Sequence, residues 1–148
     1  MNKVLYIILF STLLISQTIR GGVISDGLDL ANIKVAEHQE YTRVVFYVNN
    51  WEGHSRAGTP ADTTGSYRFV LSDDKKSIEV ELLGYRSATL TNIPLVESIS
   101  SIKRLVGEEY GDDSSLFYDI KLKDRVSKIE VFTLSNPTRV VLDIYAIR

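Results

Sequence analysis

Through most of this chain apolar residues recur at every second position. That spacing gives a β-strand with one buried face, whereas a helix would need them every three or four residues. Val44, Phe46 and Val48 alternate with Arg43, Val45 and Tyr47, and Ile78, Val80 and Leu82 alternate with Glu79, Glu81 and Leu83. Tyr118, Ile120 and Leu122 alternate with Asp119, Lys121 and Lys123, and Val140, Leu142 and Ile144 with Arg139, Val141 and Asp143. Each run predicts a half-buried strand, with Phe46, Val80, Ile120 and Leu142 in the core. Between the runs lie Ser72-Asp73-Asp74-Lys75 and Ser135-Asn136-Pro137-Thr138. Asp, Asn and Ser can bond their own backbone and Pro presets φ, so both stretches read as hairpin turns. The expected class is all-β, with few helices.

The pattern also repeats. Ile33-Lys34 and Glu40-Tyr41 return at a constant offset as Ile102-Lys103 and Glu109-Tyr110. Residues 43–48 match 117–122 in alternation, and residues 71–74 followed by 78–82 match 134–137 followed by 140–144. Two similar halves usually pack face to face around one core. The expectation is a β-sandwich of two pseudo-symmetric sheets, each roughly four-stranded, with 78–82 and 140–144 in equivalent places. Residues 49–66 are polar, glycine-rich and aperiodic, which reads as a long surface loop. Residues 85–100 link the halves, with room for one helical turn at 95–99.

The chain has 148 residues, enough for one domain of roughly 100–200 residues. It is 44% apolar, with three prolines and nine glycines, too hydrophobic for disorder. Lys and Arg number 17 against 19 Asp and Glu, for a net charge of -2. No basic footprint for nucleic acid results. Cysteine is absent and histidine occurs twice, which removes thiolate sites and leaves little for zinc or triad chemistry. No metal and no cofactor are expected. At the amino end, Lys3 precedes an apolar run from Val4 to Ile15 closed by Ser16, the anatomy of an export signal. The run is shorter than the roughly 18–20 residues that span a membrane; an uncleaved anchor reaching Ile19 is the alternative. Residues 1–20 are expected to be the signal, cut after Ser16 or a few residues later. Residues 21–148 then form a single periplasmic domain with no further membrane contact.

Thr42-Arg43-Val44-Val45-Phe46, and the closing Leu134-Ser135-Asn136-Pro137-Thr138-Arg139-Val140-Val141-Leu142-Asp143-Ile144-Tyr145, resemble the AMIN domain. That family closes on an Asn/Asp-Pro turn, then Arg, an apolar strand and Asp. The likeness runs from about Asn32 to Tyr145. It implies a β-sandwich of two symmetric sheets that binds peptidoglycan, as found at the front of periplasmic N-acetylmuramoyl-alanine amidases and of type IV pilus secretins. Two departures stand out: the enlarged loop around Trp51, and a first turn, Asp73-Asp74, without Pro or Arg.

Catalytic constellations are missing. Asp73-Asp74 and Asp112-Asp113 are paired carboxylates in turn-like stretches, and adjacent residues on an extended chain point apart. No H-x-x-x-H or G-x-S-x-G spacing occurs, so the chain is read as non-catalytic. The candidate ligand-binding residues are Arg43, Trp51, Arg56, Arg139 and Asp143. Arg139 and Asp143 share a strand face four residues apart, roughly 13 Å along it, so they cannot pair with each other. They and Arg43 either bond neighbouring strands or contact a ligand. Trp51 either stacks on a sugar, with His54 and Arg56 offering hydrogen bonds, or plugs the sandwich edge. The functional expectation is an exported, non-catalytic module that binds peptidoglycan. The alternative is an assembly or scaffold subunit docking onto a cell-envelope protein complex by strand addition at a sheet edge.

Overall fold

The computed structural model describes residues 16–53, 58–89, 93–94, 96–109 and 115–147. Strands form where the alternation places them. Among the described residues there are ten: β1 (Gln17–Gly21), β2 (Leu28–Glu37), β3 (Tyr41–Asn50), β4 (Ser66–Leu71), β5 (Ser77–Leu83), β6 (Tyr85–Ser87), β7 (Ile102–Glu109), β8 (Ser115–Leu122), β9 (Val126–Leu134) and β10 (Arg139–Ala146). The apolar members of all four alternating runs are buried, and Phe46, Val80, Ile120 and Leu142 sit at the centre with no more than 1% exposure.

The strands form two five-stranded sheets, ordered β1-β4-β5-β8-β7 and β6-β2-β3-β10-β9, which make a β-sandwich. Every neighbouring pair is antiparallel except β2 and β6. The internal repeat is visible in the strand order. Exchanging β2 to β5 for β7 to β10 turns β4-β5-β8-β7 into β9-β10-β3-β2, which is the run found in the second sheet. Register follows the same exchange. Phe46 faces Val140 across β3 and β10, while the matched residues Ile120 and Ile78 face each other across β8 and β5. Each half therefore gives one hairpin to each sheet, and neither half can bury its apolar faces alone. The sheets have five strands, not four, because β1 and β6 attach outside the repeat. β1 is five residues long and β6 three, too short for an alternation to be read in either. Residues 17–20, expected to belong to the export signal, form most of β1.

The sandwich sides are closed by specific contacts. On one, the Gln17 amide donates to the Ile129 carbonyl and accepts from the Ile129 N–H, both at 2.9 Å. It thereby stands where another strand would pair with β9. On the other, the inter-half linker crosses between sheets. Within it a turn is closed by the Ile99 N–H to Val96 carbonyl bond of 2.9 Å, and Ser100 N–H donates to Glu37 Oε1 at 2.7 Å. The long loop folds back on β3: Asn50 N–H bonds the Thr59 carbonyl at 2.8 Å, and Ala61 N–H bonds that of Val48 at 3.1 Å. Ala61 and Thr64 are buried by it.

Candidate functional site

The outer face of the second sheet carries the side chains that the core-facing alternation leaves over. Four rows cross β3, β10 and β9 in register: Tyr41, Tyr145 and Lys128; Arg43, Asp143 and Glu130; Val45, Val141 and Phe132; Tyr47, Arg139 and Leu134. A solvent-facing row should be polar, yet Val141 and Asp143 are only 1% and 2% exposed. Their neighbours cover them.

Asp143 is held by Arg43, whose Nε and Nη2 donate to Oδ1 and Oδ2, both at 2.7 Å. This fork is the strong form of an ion pair, adding geometry to charge. The Asp143 carboxylate raises the Arg43 pKa, chiefly through that hydrogen bonding. The guanidinium lies 5.2 Å from the Tyr41 ring centre and 5.3 Å from that of Phe132, within cation–π range of both. A second ladder runs beside it. Lys128 Nζ sits 4.7 Å over Tyr145, Tyr145 packs 5.5 Å from Tyr41, and Tyr41 stacks 4.6 Å from His38. Glu130 accepts from Lys128 at 2.6 Å and from the Tyr145 hydroxyl at 2.9 Å. Both bonds hold the Glu130 pKa below its ordinary value, and that carboxylate pushes the Tyr145 hydroxyl up. Lys34 from β2 lies 5.1 Å over Tyr47. The result is a half-buried aromatic surface threaded with cations.

The five sequence candidates do not gather into one cluster. Arg43 and Asp143 come together as each other's partners. Arg139 shares their face but clamps its own turn, Nε donating to the Pro137 carbonyl at 2.9 Å and Nη2 to that of Ser135 at 3.2 Å. Trp51 lies just past the end of β3, eight residues beyond Arg43 and so roughly 27 Å along the strand direction. There its backbone N–H bonds the Gly27 carbonyl at 2.8 Å, and Arg86 sits 5.6 Å over its ring. Arg86 is in turn forked to Asp26, at 2.7 Å through Nη2. Arg56 lies outside the described residues, as do His54, Asp112 and Asp113. Asp74 is a turn residue, accepting from Ser72 Oγ at 2.6 Å and Lys76 N–H at 3.0 Å.

Sequence reasoning missed Tyr41, Tyr47, Phe132, Tyr145, Lys34 and Lys128 as members of one surface. The signal was available in part: Tyr41, Arg43 and Tyr47 share the non-core parity of one strand. Among the described residues no group of three or more His, Asp or Glu could hold a metal ion. Comparisons with known protein families, with curated proteins and with solved structures gave no match.

Proposed function

We propose that the chain is an exported, non-catalytic module that binds peptidoglycan through the outer face of the β3–β10–β9 region. The observation that carries this reading is the cation-threaded aromatic surface of Tyr41, Tyr47, Phe132 and Tyr145. Sugar rings present apolar faces that suit such a platform. The stem peptides of peptidoglycan carry carboxylates, and here the cations Lys34, Arg43, Lys128 and Arg139 outnumber the carboxylates Glu130 and Asp143. In this arrangement Arg43 and Asp143 position the rings, and Arg139 fixes the turn at the face's rim. The periplasmic setting rests on the apolar amino end, and the family reading on the AMIN-like closing motif.

Binding is weak per site. A face of half-exposed side chains desolvates little, while association costs at least several kcal/mol of lost freedom. Retention on the wall then depends on many repeated sites. The test is cosedimentation of the mature protein with purified sacculi at low and high salt. Binding at low salt that fades at high salt, without release of soluble muropeptides, supports the reading. A folded protein that stays in the supernatant at low salt contradicts it and favours the docking-subunit alternative.

A further inference from the structure

We propose that β7 is a self-pairing edge, through which two copies of this chain join their first sheets into one continuous antiparallel sheet. This goes beyond wall binding and does not depend on it. β7 ends the strand order β1-β4-β5-β8-β7, and among the described residues no strand pairs with its outer side. Which backbone groups face outward follows from β8. Leu122 N–H bonds Lys76 beside β5, and Lys123 N–H bonds Ser101 beside β7. Neighbouring residues of an antiparallel strand bond to opposite sides in alternation. The odd-numbered residues of β8 therefore serve β7, where Lys121 faces Arg104 and Asp119 faces Val106. Arg104 and Val106 spend their backbone groups on β8. Leu105 and Gly107 turn theirs out at the edge.

Two edges of this kind can pair about a two-fold axis only if outward-facing residues meet. An axis through Val106 satisfies this by placing Leu105 opposite Gly107 of the second copy. The same register places position 104, arginine, opposite position 108, glutamate. Axes one residue to either side also satisfy the backbone, but they set Arg104 or Glu108 against Val106 and leave the charges unmatched. Opposite charges directly across a ladder stabilise it, and like charges destabilise it. The β9 and β1 edges lack this fit. On β9 the edge groups of Ile129 are taken by Gln17, and on β1 Arg20 already faces Arg68 within its own sheet. The β7 register shift between Ile102 and Arg104 limits the pairing to a short stretch, so the dimer is weak, with a Kd on the order of 0.1–1 mM.

Sedimentation velocity on the mature protein, the variants R104E and E108R, and the double variant R104E/E108R tests this. The wild type should shift toward dimer as concentration rises to about 1 mM. Each single variant should weaken association about tenfold, because two cross-strand pairs become repulsive. The double variant should return to within a few-fold of wild type, with unchanged circular dichroism throughout. As a second arm, a Val106→Cys variant should oxidise to a disulfide-linked dimer, since directly opposed residues in a non-hydrogen-bonded pair bring Cα atoms to about 4.5 Å. The chain has no other cysteine. A strictly monomeric wild type at 1 mM, single variants that associate like wild type, a double variant that fails to recover, or a Val106→Cys protein that stays monomeric on oxidation would each overturn the proposal.

Discussion

Arg43 and Asp143 lie 100 residues apart in sequence and directly opposite each other on β3 and β10, joined by two parallel bonds of 2.7 Å. Their exposures differ: the Asp143 side chain retains 3% and that of Arg43 30%. The repeat places Glu81 where Asp143 stands, opposite Phe117 where Arg43 stands. In that half the cation comes from the other side, with Arg68 of β4 donating to Glu81 at 2.9 Å. Each sheet thus keeps a carboxylate at the equivalent position and recruits its cation from a different neighbouring strand.

The difference in exposure sets an order of effects. Arg43→Ala leaves a buried carboxylate uncompensated, which costs about 2–4 kcal/mol, whereas Asp143→Ala leaves a partly solvated guanidinium and costs about 1–2 kcal/mol. Urea denaturation should find Arg43→Ala the less stable of the two. Equal losses would mean that Asp143 reaches water in solution.

In the core, Phe46 packs edge-on against Phe69, with ring centres 5.9 Å apart, and lies 6.1 Å from Tyr118. It therefore bridges the sheets. Phe46→Ala should cost about 3–5 kcal/mol, a large share of the 5–15 kcal/mol that stabilises a typical domain. A melting temperature unchanged by this substitution would contradict the register.

Alternation fixes which residues of a strand share a face, which is why the core-facing positions of the four alternating runs were legible, while the burial of Val141 and Asp143 on the outer face, set by neighbouring strands, was not. It does not say which strand lies alongside. Arg43 was readable as a strand-bonding or ligand-contacting residue, but its partner across 100 residues was not. Nor was the partner of Trp51, because Arg86 reaches its ring by way of β6. The strand β1 was hidden because its residues adjoin an apolar run whose simplest reading is an export signal.

That strand yields a test of processing. Gln17 makes the paired bonds to Ile129 that close the β1–β9 side, so a cut after Ser16 keeps them and a cut after Arg20 removes the strand. Under the proposed export, intact-mass analysis of the processed chain should find an amino terminus at or before Gln17. Gln17→Ala, losing two hydrogen bonds to backbone, should cost about 1–2 kcal/mol. A mature chain starting at Gly21 that melts like the longer one would show β1 to be dispensable.

Stability should also bend at both ends of the pH scale. Hydrogen bonds hold Glu37, Glu130, Asp26 and Asp74 below their ordinary pKa values: Ser100 acts on Glu37, Lys128 and then Tyr145 on Glu130, Arg86 on Asp26, and Ser72 on Asp74. A depressed folded pKa means that the contribution is complete above the unfolded value, roughly 4 to 4.5, and is lost as pH falls through the folded one. Burial pushes Tyr85 and Tyr67 up, and Glu130 does so for Tyr145. Their contribution is complete below about pH 10 and is lost as pH rises through the folded values. Denaturation midpoints should fall below about pH 4.5 and again above about pH 10. Midpoints that rise on acidification would show these hydrogen bonds absent in solution.

The most direct measurement is a sacculus-binding isotherm for the mature protein beside a Tyr47→Ala/Phe132→Ala double variant, with Trp51→Ala as the comparison from the far end of β3. The account predicts saturable binding by the wild type at low salt. Affinity should fall about tenfold or more when two rings of the face are removed together, and far less for Trp51→Ala. Wild-type protein that does not bind, or a double variant that remains folded and binds as wild type does, would contradict it.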